Sequence, residues 1–243
     1  MASFFRSSIG KKFIQAVSGA FLVIFLLLHG TINFFSVIDS FKGTWGNVDP
    51  DKLMSAGDGV FAAGCDFMST AVITIMVPVL ALGILVHIIY GIYLSYLNYE
   101  ARGGVKRYEV ASRARTDSWS SKNMLVLGIV ILGIIFFHLT HFWAHMQLME
   151  FTGREAENPY MLLEKTFSSW WVLAIYIIWF CAIFLHLTHG FWSMFQTIGW
   201  DNQIWMKRLK VIGVVVAALI WLCFTTVAVN AFLHAQGILP SVL

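Results

Sequence analysis

Apolar residues gather into five long runs along the chain, and short polar segments separate the runs. Each run reaches the roughly 18 residues that a helix needs to cross the hydrocarbon layer of a membrane. Because backbone amides in lipid must find their hydrogen bonds within the segment, the pattern predicts an all-α bundle of transmembrane helices. We place the five predicted spans, which make residues 1–243 a single transmembrane domain, at about residues 13–38, 68–97, 124–145, 170–198 and 211–233.

The composition also indicates a membrane protein. Apolar residues make up 58% of the chain and charged residues 12%, which is about half the charged share of a soluble domain. So little charge cannot cover a water-facing surface, which excludes an ordinary soluble enzyme. The net charge of +3 is too small to indicate a nucleic-acid partner. The three cysteines form no C-x-x-C pair, which argues against a disulfide framework or a thiolate metal site.

Positive charge is unequally distributed over the polar segments. If the N-terminus lies inside, the inner segments 1–12, 98–123 and 199–210 hold 3, 6 and 3 Lys and Arg residues. The outer segments hold the other 4 of the 16. Since basic residues concentrate on the cytoplasmic side of membrane proteins, we predict the N-terminus inside and the C-terminus outside. The first apolar run is longer than the core of a signal peptide and lacks a cleavage site, so we expect it to be retained.

Seven of the eight histidines lie in or at the ends of the first four predicted spans. Ionisable side chains are costly in a bilayer and usually face the interior of the bundle or a pathway. A rise of 1.5 Å per residue places His29 and His138 about 15 to 18 Å from the nearest outer loop charges. The same measure places His87 and His186 about 31 Å from those charges. These four histidines therefore form two predicted levels.

Two imidazoles at one depth on different helices can bind the two axial faces of a haem iron. Zinc would need three or four converging ligands, and the spans carry no thiolate or carboxylate cluster. The pattern therefore predicts two b-type haems. Histidines three apart share a helix face, so spacing does not choose between His186 and His189, while depth favours His138 over His141. The roles of the second histidines and of His145 stay open.

The pattern resembles the di-haem cytochrome b subunit of succinate:quinone oxidoreductases, the form with one five-helix anchor that includes quinol:fumarate reductases. The matching motifs are Phe-Ile-Gln-Ala-Val-Ser-Gly at 13–19 before His29, Leu-Val-His ending at His87, Phe-His-Leu around His138, and Leu-His ending at His186. The resemblance implies that His29 and His138 bind the distal haem iron, and that His87 and His186 bind the proximal one. This agrees with the two levels.

The resemblance also implies roles for two polar residues of the first span. Gln15 matches a position near the propionates of the proximal haem, and Ser18 would assist it. One position departs from the fumarate-reducing relatives, in which a glutamate two residues before the fourth-span ligand is thought to pass protons across the membrane. Here that position is Phe184. Since a phenyl ring cannot relay a proton, we expect that route to be absent or to use other groups.

A subunit of this kind carries electrons and leaves the dicarboxylate chemistry to its partners, which agrees with loops too short to form a catalytic domain. The resemblance implies a flavoprotein with FAD that interconverts succinate and fumarate, and an iron-sulfur subunit that relays electrons on the cytoplasmic side. The chain would then be a multi-pass subunit of a respiratory-chain enzyme in the bacterial cytoplasmic (inner) membrane, in contact with lipid. A dimer of the whole complex is compatible with the resemblance.

A quinone near the outer side is the expected substrate of the anchor, and the family favours menaquinone over ubiquinone. Reduction of a quinone consumes two electrons and two protons, so an acid at the outer rim would exchange protons with water. Relatives place such an acid before the second span. The candidates here are Asp58 and Asp66, and the spacing to His87 does not decide between them.

Two other functions fit part of the pattern. One is the cytochrome b subunit of a nitrate reductase, hydrogenase or formate dehydrogenase, which also binds haem between helices that carry histidines. The other is a transporter with a buried histidine relay. The sequence shows no inverted repeat, and of the prolines only Pro78 interrupts a span, so the signs of a transporter are weak.

Overall fold

The computed structural model describes residues 7–46, 59–101, 119–154, 156–200 and 202–243. Over these ranges the regular secondary structure is entirely helical, as the apolar pattern predicts. In chain order the helices are α1 (Ser8–Lys42), α2 (Val60–Met68), α3 (Ala71–Ala101), α4 (Trp119–Lys122), α5 (Met124–His138), α6 (Gln147–Phe151), α7 (Pro159–Phe167), α8 (Trp170–Thr197) and α9 (Gln203–Ala235). A π-helical turn, Leu139–Trp143, continues α5.

Within the described residues, five helices are long and apolar enough to cross a membrane: α1, α3, α5 with its π-helical turn, α8 and α9. The prediction of a multi-pass, all-helical membrane protein is confirmed. Two helices begin earlier than predicted, α1 at Ser8 and α9 at Gln203. The helical backbone continues into lysines such as Lys11 and Lys207, because their long side chains can reach polar surroundings while their stems stay apolar.

The spanning helices differ in how far the protein encloses them. In α8, 39% of the most apolar stretch is buried, whereas α3 has no buried residue over its described length. The mean hydropathy of the most apolar stretch of α3 is nevertheless the highest of the five, at 2.7. An apolar helix without buried residues needs apolar surroundings from outside the chain, and a bilayer supplies them.

Contacts within the protein divide the described residues into two compact units. The first unit consists of the described residues up to Phe25, those from Pro78 to Ile129, and those from Ile183 to Ala218. The second consists of those from Leu26 to Val77, from Val130 to Ala182, and from Leu219 to Leu243. Each unit takes a part of each of the five spanning helices.

A buried carboxylate in the second unit joins three helices. Asp39 lies inside α1, and its side chain is fully buried. Its Oδ1 accepts a hydrogen bond from Val60 N (2.8 Å), and its Oδ2 accepts from Phe61 N (2.7 Å) and Tyr160 OH (2.6 Å). The carboxylate thus satisfies amides of the first turn of α2, where a negative charge is favourable. The pKa of Tyr160 is raised, mainly by burial and secondly by the hydrogen bond to Asp39, so the phenol stays neutral and donates.

A second buried carboxylate holds the segment that follows α9. Glu164 of α7 is fully buried and accepts hydrogen bonds from Trp45 Nε1 (2.6 Å), Ser241 Oγ (2.6 Å) and Val242 N (3.0 Å). The Trp45 ring stacks on His234, with 3.8 Å between ring centres. From hydropathy alone, Asp39 and Glu164 would be assigned to loops. In the structure their carboxylates accept hydrogen bonds from backbone N–H groups that would otherwise have no acceptor.

Candidate functional site

The first candidate ligand pair, His29 and His138, belongs to the second unit. His29 lies on α1 and His138 is the last residue of α5. Their ring centres are 6.0 Å apart and their ring planes are at 85° to each other. Both side chains are half-buried, so they are neither packed away in the protein nor fully on its surface. The structure thus brings two imidazoles from different spanning helices face to edge.

Aromatic side chains surround this pair. The rings of Phe142, Tyr176 and Trp179 lie 5.2, 6.3 and 5.3 Å from the ring of His138, measured between centres. Phe224 lies 5.7 Å from His29. Nδ1 of His138 is buried and has no hydrogen-bond partner among the described residues. The surroundings of the pair are therefore mainly aromatic, with one polar side chain at His29, where Asn33 Nδ2 lies 3.4 Å from the ring Nδ1.

A change of helix type follows His138. The turn Leu139–Trp143 is π-helical, and Ala144 N donates to Leu139 O at 2.9 Å across five residues. Such turns are rare and are frequent at functional sites. Since a π-helical turn holds more residues than an α-helical one, it changes which side chains share a face. His141 of this turn has its Nδ1 3.2 Å from Tyr176 OH.

The second candidate pair, His87 on α3 and His186 on α8, belongs to the first unit. Their ring centres are 6.3 Å apart and their planes are at 69°. Both side chains are half-buried. The sequence His-Leu-Thr-His occurs twice, at 138–141 and at 186–189. His189, the second histidine of the later repeat, contacts Trp192 instead, with 4.8 Å between ring centres. In each repeat the structure places the first histidine opposite a histidine of another helix.

The spacing within each pair suits a shared metal ion. Two imidazoles on opposite sides of one metal, each with a metal–nitrogen bond of about 2 Å, place their ring centres about 6 Å apart. The described residues contain no group of three or more His, Cys, Asp or Glu that could hold a bare metal ion. A haem brings four nitrogen donors of its own, so two axial imidazoles complete its coordination. The donor sets therefore fit two b-type haems.

Gln15 and Ser18 lie on α1 against His87. Gln15 Nε2 is 3.3 Å from His87 Nε2, and Ser18 Oγ is 3.2 Å from His87 Nδ1. A Cβ atom on Gly19 would lie 3.2 Å from His87 Cε1, so the glycine allows α1 to approach the ring. The structure thus places Gln15 and Ser18 at the His87–His186 pair, where both contact the imidazole of His87.

Of the two acids predicted for the quinone site, the structure describes one. Asp58 lies outside the described residues. Asp66 lies on α2 and is half-buried. Beside it, burial and the charges of Asp66 and Glu150 raise the pKa of the Cys65 thiol to about 12, so this thiol stays protonated. Glu150 accepts hydrogen bonds from Ser69 Oγ (2.8 Å) and Gln147 Nε2 (2.8 Å).

Glu150 was not among the acids predicted from the sequence for the quinone site. Its charge acts on the same thiol as the charge of Asp66, although 84 residues separate the two acids along the chain. Hydropathy identifies both only as loop charges, because it carries no information about which loops approach each other. Glu150 is therefore a further acid to compare with Asp66.

His145 and its neighbours form another polar contact that spacing did not predict. Its Nδ1 lies 2.6 Å from Glu157 Oε1, and Lys165 Nζ lies 3.6 Å from the other carboxylate oxygen. The side chain of His145 is 37% exposed, and its described hydrogen bond is to Glu157 and not to another histidine. His145 is therefore a surface residue of the second unit, unlike the two facing pairs.

Comparisons with known proteins found no significant match. No protein-family model matches the sequence. No curated protein and no solved structure matches it significantly. The fold and the site together define a multi-pass helical membrane protein with two pairs of facing histidines on its spanning helices.

Proposed function

We propose that the chain is the membrane-anchoring cytochrome b subunit of a succinate:quinone oxidoreductase or quinol:fumarate reductase. It would carry electrons through two b-type haems between a quinone, menaquinone by family resemblance, and iron-sulfur and flavoprotein subunits at the cytoplasmic side. The observation that carries the proposal is the spacing of the two histidine pairs, 6.0 and 6.3 Å between ring centres, on helices long enough to span a membrane. The order of the motifs along the chain gives additional support.

The residues of this chain would hold and insulate the two cofactors. His29 and His138 would be the axial ligands of one haem iron, and His87 and His186 those of the other. When bound, a b-type haem supplies one-electron transfer. Trp179 and Phe224 line the first pair with apolar rings that exclude water. A dry, apolar pocket helps to set the redox potential of the iron it encloses.

The acids at α2 and α6 would serve the quinone end of the path. Asp66 is half-buried, so its carboxyl group can exchange protons with water while it faces a bound quinone. In this proposal the N-terminus lies inside, so the basic inner segments face the soluble partners. The proton taken up or released by the quinone then passes through a carboxylate of this chain.

Asp66→Asn is expected to lower quinone turnover about 100-fold, because a positioned proton donor or acceptor contributes a factor of this order or more. Both haems should stay in place, since Asp66 lies on α2, a helix that carries no histidine. The measurement is the quinone-linked rate together with the haem content. Glu157→Gln is the matched control, because Glu157 is another acid of the second unit, and its carboxylate contacts His145 and Lys165. Asp58→Asn and Glu150→Gln compare the other acids, and full turnover in Asp66→Asn removes Asp66 from the mechanism.

Purification in mild detergent tests the whole proposal. We expect a reduced-minus-oxidised spectrum with a b-type band, two haems per chain, and copurified flavoprotein and iron-sulfur subunits. Two haems with the soluble subunits of a nitrate reductase, hydrogenase or formate dehydrogenase would instead identify another respiratory cytochrome b. The absence of any haem band from the intact protein would contradict the proposal and favour a histidine-relay transporter.

A further inference from the structure

The hydrogen bonds around His87 identify which of its ring nitrogens carries the proton. Ser18 has a single hydroxyl proton, and its Oγ donates to the backbone carbonyl oxygen of Gln15 at 3.1 Å. Its contact of 3.2 Å with His87 Nδ1 must therefore be one in which the oxygen accepts. An accepting Ser18 oxygen requires a proton on His87 Nδ1.

The second contact of the ring leads to the same assignment. The amide nitrogen of Gln15 donates and cannot accept, and it lies 3.3 Å from His87 Nε2. His87 Nε2 therefore accepts, which means that it carries a lone pair. The two contacts thus describe one neutral tautomer, protonated on Nδ1, whose Nε2 lone pair points at the Gln15 amide, and a metal bound through Nε2 would take the place of that amide.

The position of Ser18 suits a fixed partner. Its side chain is buried, with 8% of its surface exposed, and its hydrogen bond to Gln15 O fixes the direction of the hydroxyl. Gly19 beside it leaves room for the ring, because a Cβ atom there would lie 3.2 Å from His87 Cε1. The facing His186 has no described hydrogen-bond partner for its Nδ1, so His87 is the ligand of this pair that the protein orients.

We propose that Ser18 is the positioning residue of the His87–His186 site, because its hydroxyl holds His87 in the tautomer that presents the Nε2 lone pair to iron. The inference rests on the proposed function. It differs from the role that the resemblance implies for Ser18, which is assistance at the haem propionates. A ligand histidine whose second nitrogen donates a hydrogen bond is more basic and better oriented, and loss of such a partner lowers metal affinity 10- to 100-fold.

Ser18→Ala in the full chain is the direct test. We expect haem at the His87–His186 site to be lost to an excess of a haem-scavenging protein about tenfold more readily. If the substitution weakens the binding of ferric haem tenfold and leaves that of ferrous haem unchanged, the midpoint potential of that haem rises by about 59 mV, the one-electron equivalent of a tenfold change. The other haem should keep both its affinity and its potential, and it serves as an internal reference.

Three further variants separate positioning from a general effect of a buried hydroxyl. Ser36→Ala is the matched control: Ser36 lies on the same helix, is fully buried and donates to Asn33 O at 2.7 Å, without contact to a histidine ring. It should leave both haems unchanged. Ser18→Thr keeps the oxygen and should restore the wild-type potential. Ser18→Cys offers a weak acceptor in nearly the same volume, and its potential should lie between those of serine and alanine.

The outcomes distinguish this inference from the proposed function. A wild-type chain without haem overturns the proposed function, and this inference with it. Two haems in the wild type with an unchanged potential and affinity in Ser18→Ala overturn the inference alone. A Ser18→Thr variant that behaves like Ser18→Ala also overturns it, because the hydroxyl would then not be the group responsible.

Discussion

Replacement of His138 by alanine is expected to remove one of the two haems, and replacement of His186 to remove the other. Each haem would lose one of the two imidazoles that hold it, and the remaining imidazole alone would bind it more weakly. The double variant should contain no haem. Haem per chain, determined on protein purified under identical conditions, measures the effect. We expect one haem per chain in each single variant, none in the double variant and two in the wild type.

His145→Ala is the control for these variants. His145 lies shortly after the same π-helical turn, but its Nδ1 lies 2.6 Å from Glu157 Oε1 and it belongs to neither facing pair. It should keep two haems. His29→Ala should reproduce the loss expected for His138→Ala, and His87→Ala that expected for His186→Ala, since in the proposed function each pair would hold one haem. If all four single variants keep two six-coordinate haems, the assignment of ligands is wrong.

Asp39→Ala is expected to have the largest effect on stability. It leaves Val60 N, Phe61 N and Tyr160 OH without their acceptor. A buried donor left unsatisfied costs about 1 to 3 kcal/mol, so the free energy of unfolding should fall by at least about 3 kcal/mol. Thermal unfolding in detergent, followed by the loss of helical signal, measures the change.

Two controls accompany the Asp39 variant. Tyr160→Phe removes one donor and leaves the carboxylate with its two backbone amides, so we expect a loss of about 1 kcal/mol. Glu157→Gln removes a charge that is paired at the surface, which is worth about 0 to 1 kcal/mol. If Asp39→Ala is no less stable than Glu157→Gln, the carboxylate does not hold α2 and α7 in place.

The five spanning helices could be predicted from hydropathy alone, because a bilayer leaves a long apolar run few alternatives to a helix. The ends of α1 and α9 could not, because a helical backbone continues into polar residues as long as its amides find partners. The buried Asp39 and Glu164 were equally hidden, because a carboxylate looks the same in the sequence whether it faces water or caps a distant helix. Only their hydrogen-bond partners distinguish the two cases.

The arrangement of the histidines at the candidate site could also be predicted only in part from the sequence. Their concentration in the first four spans was visible in the sequence, because ionisable residues are rare in lipid and therefore conspicuous. Spacing did not decide which histidine of each His-Leu-Thr-His repeat faces another helix, because residues three apart share a helix face, whereas depth favoured His138 and the resemblance implied both His138 and His186. The structure places His138 opposite His29 and turns His141 toward Tyr176 through a π-helical turn, for which the sequence has no signal.

By itself, then, the amino-acid sequence determined a five-span helical membrane protein rich in histidine within its spans, because lipid acts on every residue through its own polarity. The tertiary structure decided which rings meet at 6.0 and 6.3 Å, which polar side chains contact His87, and which acids are buried. Those features depend on contacts between residues far apart along the chain. Such contacts exist only once the helices have packed.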